Sequence, residues 1–150
     1  MFVRSNQLGH MSPFAHLLHD LRMRHGIRQS ELAELIGYEQ SYISALEVGL
    51  KGPPTPEFVE RLTSVLRLTD ADRQKLNQAA EASQRKLVID HDTPQEAYWL
   101  LNDLRHQFSA LTSTQIRVIR DVLQLRPGGD VATRDPVRRL KRRTRQEATM

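Results

Sequence analysis

The sequence predicts an all-α protein, and three observations carry that prediction. Apolar residues recur at three- and four-residue spacing over seven separate stretches, each with its own start signal. No convincing run of alternating apolar and polar residues competes with them. Aromatic residues make up only 5% of the chain, so Leu, Ile, Val and Ala must fill the core. That balance suits small packed helices better than a β-sandwich.

The first helix opens at Ser12 as N-cap with Pro13 in its first turn, aligns Phe14, Leu17, Leu18 and Leu21, and stops at Gly26. The second runs from about Arg28 to Ile36, offers Leu32, Leu35 and Ile36 to the core, and ends at Gly37. A third covers about Glu39 to Val48, after which Gly49 to Pro54 forms a break that no helix crosses. Thr55 and Pro56 start the fourth, with Phe58, Leu62, Val65 and Leu66 inward. Thr69 to Asp72 starts the fifth, with Leu76, Ala79, Ala80 and Ser83 on one side. These five make a compact bundle.

Leu87 to Asp92 reads as a connector. Thr93, Pro94 and Glu96 then supply cap, first-turn proline and capping box for a sixth helix carrying Leu100, Leu101, Leu104 and Phe108. Thr112 and Gln115 repeat the capping-box spacing for a seventh, lined by Ile116, Ile119, Val122 and Leu123 and closed by Pro127, Gly128 and Gly129. Two short-linked amphipathic helices form an antiparallel hairpin. Beyond them the chain is arginine-rich and apolar-poor, the composition of a disordered tail.

Composition narrows the function. There is no cysteine, which removes disulfides, thiolate catalysis and Cys-based zinc sites and suits a reducing cytoplasm. Residues 1–15 lack an apolar signal core, and no apolar run approaches a membrane span, so a soluble, cytoplasmic protein is expected. Gly9, His10 and Met11 read equally as a cloning scar before a start at Met11 or as native sequence. The net charge is +4, yet residues 1–89 carry eleven basic and ten acidic groups, whereas residues 126–150 carry eight and three. Attraction to phosphate in the folded part must therefore come from local placement of charge. The tail run Arg138, Arg139, Lys141, Arg142, Arg143 and Arg145 suits non-specific phosphate contacts and a solvated, solubilising tail equally well.

The stretch from Gln29 to Leu46 has a specific spacing. Ala33 suits a close approach of two helices, and Gly37, four residues on, is free to take the left-handed conformation that ends a helix sharply. With Gln40 at zero and about 100° per residue, Ile43 and Leu46 fall near 300° and 240°, and Gln40, Ser44, Ser41 and Ala45 near 0°, 40°, 100° and 140°. One face is core and the other is small and uncharged, although Glu39 and Glu47 flank it. That exposed face fits groove reading: a primary amide such as Gln40 pairs with adenine N6 and N7, Ser41 and Ser44 donate or accept, and Ala45 meets a thymine methyl.

With these residues in place, Phe14 to Leu66 resembles the helix-turn-helix domain of the lambda repressor and Cro type, the xenobiotic-response-element family. The resemblance is carried by Gln29, Ala33, Gly37, Ile43, Ser44, Leu46 and Glu47, then Gly49 and the proline break. It implies a lambda-repressor-like five-helix bundle, a phosphate contact from Gln29 and base contacts from Gln40, Ser41 and Ala45. Two positions depart from the pattern. Arg28 stands where a capping hydroxyl is frequent and is expected to contact phosphate instead. Tyr38 replaces a small aliphatic residue in the turn, and completing the core is its favoured role. Lys51, in the break, is a third phosphate candidate.

Other chemistry is poorly supported. His16 and His19 lie three apart on the first helix, but two ligands without a nearby carboxylate make a poor metal site. Asp90, His91 and Asp92 sit in a polar connector without a nucleophile pattern, so neither an enzyme nor a cofactor is expected. The expectation is a DNA-binding domain over residues 12–86, a dimerising hairpin over 93–125 and a basic tail over 126–150. Trp99, Leu100, Leu104, Phe108, Ile119 and Leu123 are the unassigned apolar set for a homodimer interface. The protein is then a repressor on a palindromic operator, with double-stranded DNA as partner. Two alternatives stand beside it: an antitoxin whose hairpin or tail binds a toxin, and a protein-interaction module that lost DNA binding. Gln40 and Ser41 argue against the second.

Overall fold

The computed structural model describes residues 11–125. Among these the chain is all-helical, with seven α-helices and no strand. It divides into two compact units, Met1–Asp90 and His91–Met150. The arginine-rich tail, the Pro127–Gly129 stop, and Gly9 and His10 lie outside the described residues.

The first unit holds α1 (Pro13–Arg24), α2 (Gln29–Ile36), α3 (Gln40–Glu47), α4 (Pro56–Val65) and α5 (Asp70–Ala82). Three of these start on side-chain caps. The Ser12 hydroxyl accepts the Ala15 N–H at 3.2 Å, Thr55 accepts that of Phe58 at 3.3 Å and Thr69 that of Asp72 at 3.2 Å. Pro13 and Pro56 occupy first-turn positions whose N–H would have no helical partner, so the ring costs nothing there. Arg28 caps α2 without its side chain, because a guanidinium has no acceptor. Only the reverse arm of a capping box remains, the Arg28 N–H donating to the Glu31 carboxylate at 2.7 Å. Gly37 ends α2 at φ 74°, a left-handed conformation that glycine adopts without penalty.

The core draws on every helix of this unit: Phe14, Leu18 and Leu21 from α1, Leu32, Ala33 and Ile36 from α2, Ile43 and Leu46 from α3, Phe58, Val59 and Leu62 from α4, and Leu76 from α5. Burying each large side chain stabilises the fold by roughly 1.5–3 kcal/mol. α1 packs on α3 and α5, α2 on α3 and α4, and α4 on α5. Leu35 corrects the sequence reading, since it is 55% exposed. Its side chain points about 110° away from the middle of the face that Leu32, Ala33 and Ile36 share. A contact between residues 69 apart closes the bundle: the buried Ser83 hydroxyl, beyond the end of α5, accepts the Phe14 N–H at 3.0 Å and donates to the Ala79 carbonyl at 2.6 Å.

The second unit holds α6 (Gln95–Gln107), a 3-10 turn (Phe108–Ala110) and α7 (Ser113–Gln124). The expected Thr93 cap is corrected by the structure. Pro94 occupies the cap position and α6 begins at Gln95, one residue too late for the Thr93 hydroxyl to meet the first free amides. At α7 the reciprocal box forms as read, with the Thr112 N–H on Gln115 Oε1 at 2.9 Å and the Gln115 N–H on Thr112 Oγ1 at 3.2 Å. No described side chain of this unit is buried.

Candidate nucleic-acid interface

The short helix α3 presents two opposite faces, and burial separates them as its periodicity requires. Ile43 and Leu46 are buried, Gln40 and Ser41 are exposed, and Ser44 and Ala45 lie between. None of these four carries a charge. A helix face with so few charges approaches base edges without stripping water from a carboxylate or ammonium.

Two anchors hold α3 from behind. On one side lies Glu47, only 5% exposed. Its carboxylate accepts from Arg22 twice, Nε to Oε1 at 2.6 Å and Nη2 to Oε2 at 3.1 Å, and from Gln29 Nε2 at 2.8 Å. His19 Nδ1 stands 3.4 Å from the same Oε2, and Arg22 Nη1 also donates to the Ile27 carbonyl at 3.1 Å. Charge-assisted, bidentate pairing of this kind fixes geometry as well as energy. It ties α1, the α1–α2 turn, the start of α2 and the end of α3 into one frame. Burial pushes the Glu47 carboxyl up, but the Arg22, Gln29 and His19 contacts outweigh it and hold the group below the usual carboxylate range.

On the other side the anchor is aromatic. Tyr38 and Tyr42 stack at 5.3 Å between ring centres, and each meets the Phe58 ring edge-on, at 5.1 and 5.6 Å. The Tyr38 ring therefore packs against the core, the role the sequence favoured. Burial and the neighbouring Tyr38 push the Tyr42 phenol up. Arg61 stands over Tyr38 at 5.5 Å, and Lys51 Nζ stands 5.4 Å from the Tyr42 ring centre. The Lys51 N–H donates to the Ala45 carbonyl at 3.1 Å, which folds the following loop back over the end of α3.

Of the phosphate candidates, Arg28 and Lys51 are exposed and Gln29 is half-buried. Gln29 spends one amide hydrogen on Glu47 and keeps a second free to donate outward. Residues 13–76 match a family model described as a helix-turn-helix domain. No curated protein and no solved structure matches the chain. The matched segment starts at the first residue of α1 and reaches Leu76 in α5, so it covers α1 to α4 and the first half of α5. The helix-turn-helix itself is α2, the Gly37 turn and α3, and its presence points to a DNA-binding regulator. Among the described residues no helix is long and apolar enough to cross a membrane, and no group of three or more potential metal-ligating side chains occurs. His16 faces Asp20 at 3.3 Å.

Sequence reasoning missed Tyr42 and Arg61 of the aromatic anchor and three further residues around α3. Arg22 carried no signal, since a pairing across 25 residues has no periodic signature. Arg85, beyond α5, donates to the Gly49 carbonyl and so brings a cation to the loop that holds Lys51. Val48 was legible, because it continues the α3 wheel onto the exposed face, where it is 62% exposed.

In the second unit, α6 and α7 flank an apolar groove of about 360 Å³. Leu100, Leu104 and Ile119 line it, joined by Leu111 and Val118. Trp99, Phe108 and Leu123 stand outside that lining as exposed side chains. The structure therefore brings three of the six expected interface residues together.

Proposed function

We propose that this chain is a sequence-specific, double-stranded DNA-binding transcriptional repressor of the Cro type, a binding protein and not an enzyme, working in the cytoplasm as a homodimer on a palindromic operator. The observation that carries the reading is the uncharged exposed face of α3, with Gln29 hydrogen-bonded to Glu47 at one edge and Lys51 over Tyr42 at the other. In this reading Gln29, Lys51 and the exposed Arg28 next to Gln29 contact phosphates, and Gln40, Ser41, Ser44 and Ala45 meet base edges in the major groove.

A single short helix spans only a few base pairs, too little to select one genomic site against the excess of non-specific DNA. A second head solves this when two-fold symmetry sets it about 34 Å along the duplex. The α6–α7 unit supplies the pairing surface, since it leaves Leu100, Leu104 and Ile119 around an open groove. The deciding experiment compares cognate and random duplexes. Gln40→Ala is expected to cost about 1–3 kcal/mol on the operator and almost nothing on random DNA, whereas Gln29→Ala and Lys51→Ala weaken both, because phosphate contacts position without discriminating. Equal losses for Gln40→Ala on both duplexes would remove it from the reading set.

A further inference from the structure

The borders of the α3 face fix its centre. Glu47, to which Gln29 is hydrogen-bonded, and Tyr42, under Lys51, are the two edges. On the helical wheel they stand at about 340° and 200° from Gln40, so the open arc between them is centred near 90°. Ser41 at about 100° and Val48 at about 80° occupy that centre, with Ala45 at 140° toward the Tyr42 side. The centre of the open face thus carries an isopropyl group, 62% exposed. A single exposed valine is ordinary on a protein surface, but at the centre of this face it gains free energy when an apolar group of a ligand covers it.

An aliphatic side chain cannot donate or accept. Pressed against the edge of guanine, cytosine or adenine it leaves their polar groups unsatisfied, whereas thymine presents its C5-methyl in the major groove. We propose that Val48, with Ala45 beside it, reads thymine methyl groups, so each operator half-site carries thymine where the C-terminal half of α3 meets the groove. This inference rests on the DNA-binding function proposed above and names its ligand chemistry.

The test starts from random duplexes selected on the full chain, followed by single exchange of deoxyuridine for each thymidine in the enriched operator. At one or two thymines per half-site the loss of the methyl is expected to weaken binding by about fourfold. With Val48→Ala the thymidine-to-deoxyuridine ratio at one of those positions falls toward one, with thermal melting unchanged. Leu35→Ala, which trims an exposed apolar residue elsewhere, leaves that ratio intact. An enriched operator without a methyl-sensitive thymine, or a Val48→Ala protein that keeps the full ratio, overturns the inference alone. Failure to enrich any sequence overturns the sequence-specific reading and this inference with it.

Discussion

Glu47 shows how one side chain decides whether α3 is held ready for a ligand. Removing it leaves the Arg22 guanidinium, itself largely enclosed, without its counter-charge, and breaking a buried pair from one side costs about 3–5 kcal/mol. Glu47→Ala is therefore expected to lower the melting temperature steeply, and Glu47→Gln, which keeps hydrogen-bonding capacity, less so. The pH dependence has a definite sign. A carboxyl whose folded value lies below its unfolded value contributes stability that is complete above the ordinary glutamate range and disappears as pH falls through the lower, folded value. Melting curves recorded at descending pH should show this loss in the wild type, with a flatter acid limb in Glu47→Gln. An identical acid limb in both proteins would mean that the ion pair adds nothing to pH stability.

At the scale of elements, the ends of helices matter as much as their faces. The start of α1 uses two caps, Ser12 from its own segment and Ser83 from beyond the end of α5. Ser83→Ala is expected to cost about 1–3 kcal/mol, since it strands a buried Phe14 N–H. Chemical denaturation measures it, and a loss within a few tenths would show that water replaces the hydroxyl. The end of α4 offers the opposite test. Arg67 adopts φ 49°, a left-handed conformation unfavourable for a residue with a Cβ. Arg67→Gly is expected to raise stability by roughly 0.5–1 kcal/mol, the relief of strain being partly offset by the freer unfolded chain.

For the whole molecule, the two units differ in self-sufficiency. The first buries apolar residues from all five of its helices, whereas none of the described side chains of the second is buried. A pair of helices that leaves an open apolar groove gains stability by pairing with another such surface. Sedimentation at micromolar concentration is expected to show a dimer for the wild type. Leu104→Glu combined with Ile119→Glu should give a monomer that keeps the cooperative melting of the first unit, because both substitutions fall in α6 and α7. A monomeric wild type, or a folded double variant that stays dimeric, would remove the groove as the dimer surface.

What the sequence by itself determined follows from short-range rules. Caps at Ser12, Thr55, Thr69 and Thr112, prolines in first turns, Gly37 at a helix end and the 3.6-residue stripes are local chemistry, readable without knowing what lies across the core. They placed seven helices and separated the buried from the open face of α3. Leu35 and Thr93 were misplaced for equally local reasons, a face centre shifted by Ala33 and a proline taking the cap position for itself. Only the tertiary structure decided the rest: that Glu47, apparently a flanking charge, is the buried hub of Arg22, Gln29 and His19; that Tyr38 and Tyr42 brace α3 against Phe58; and that Ser83 and Arg85 reach across the chain to Phe14 and Gly49. Each of these joins residues far apart in sequence through one or a few hydrogen bonds or ring contacts. Such a contact leaves no periodic trace, because its partner is chosen by how helices pack and not by spacing along the chain.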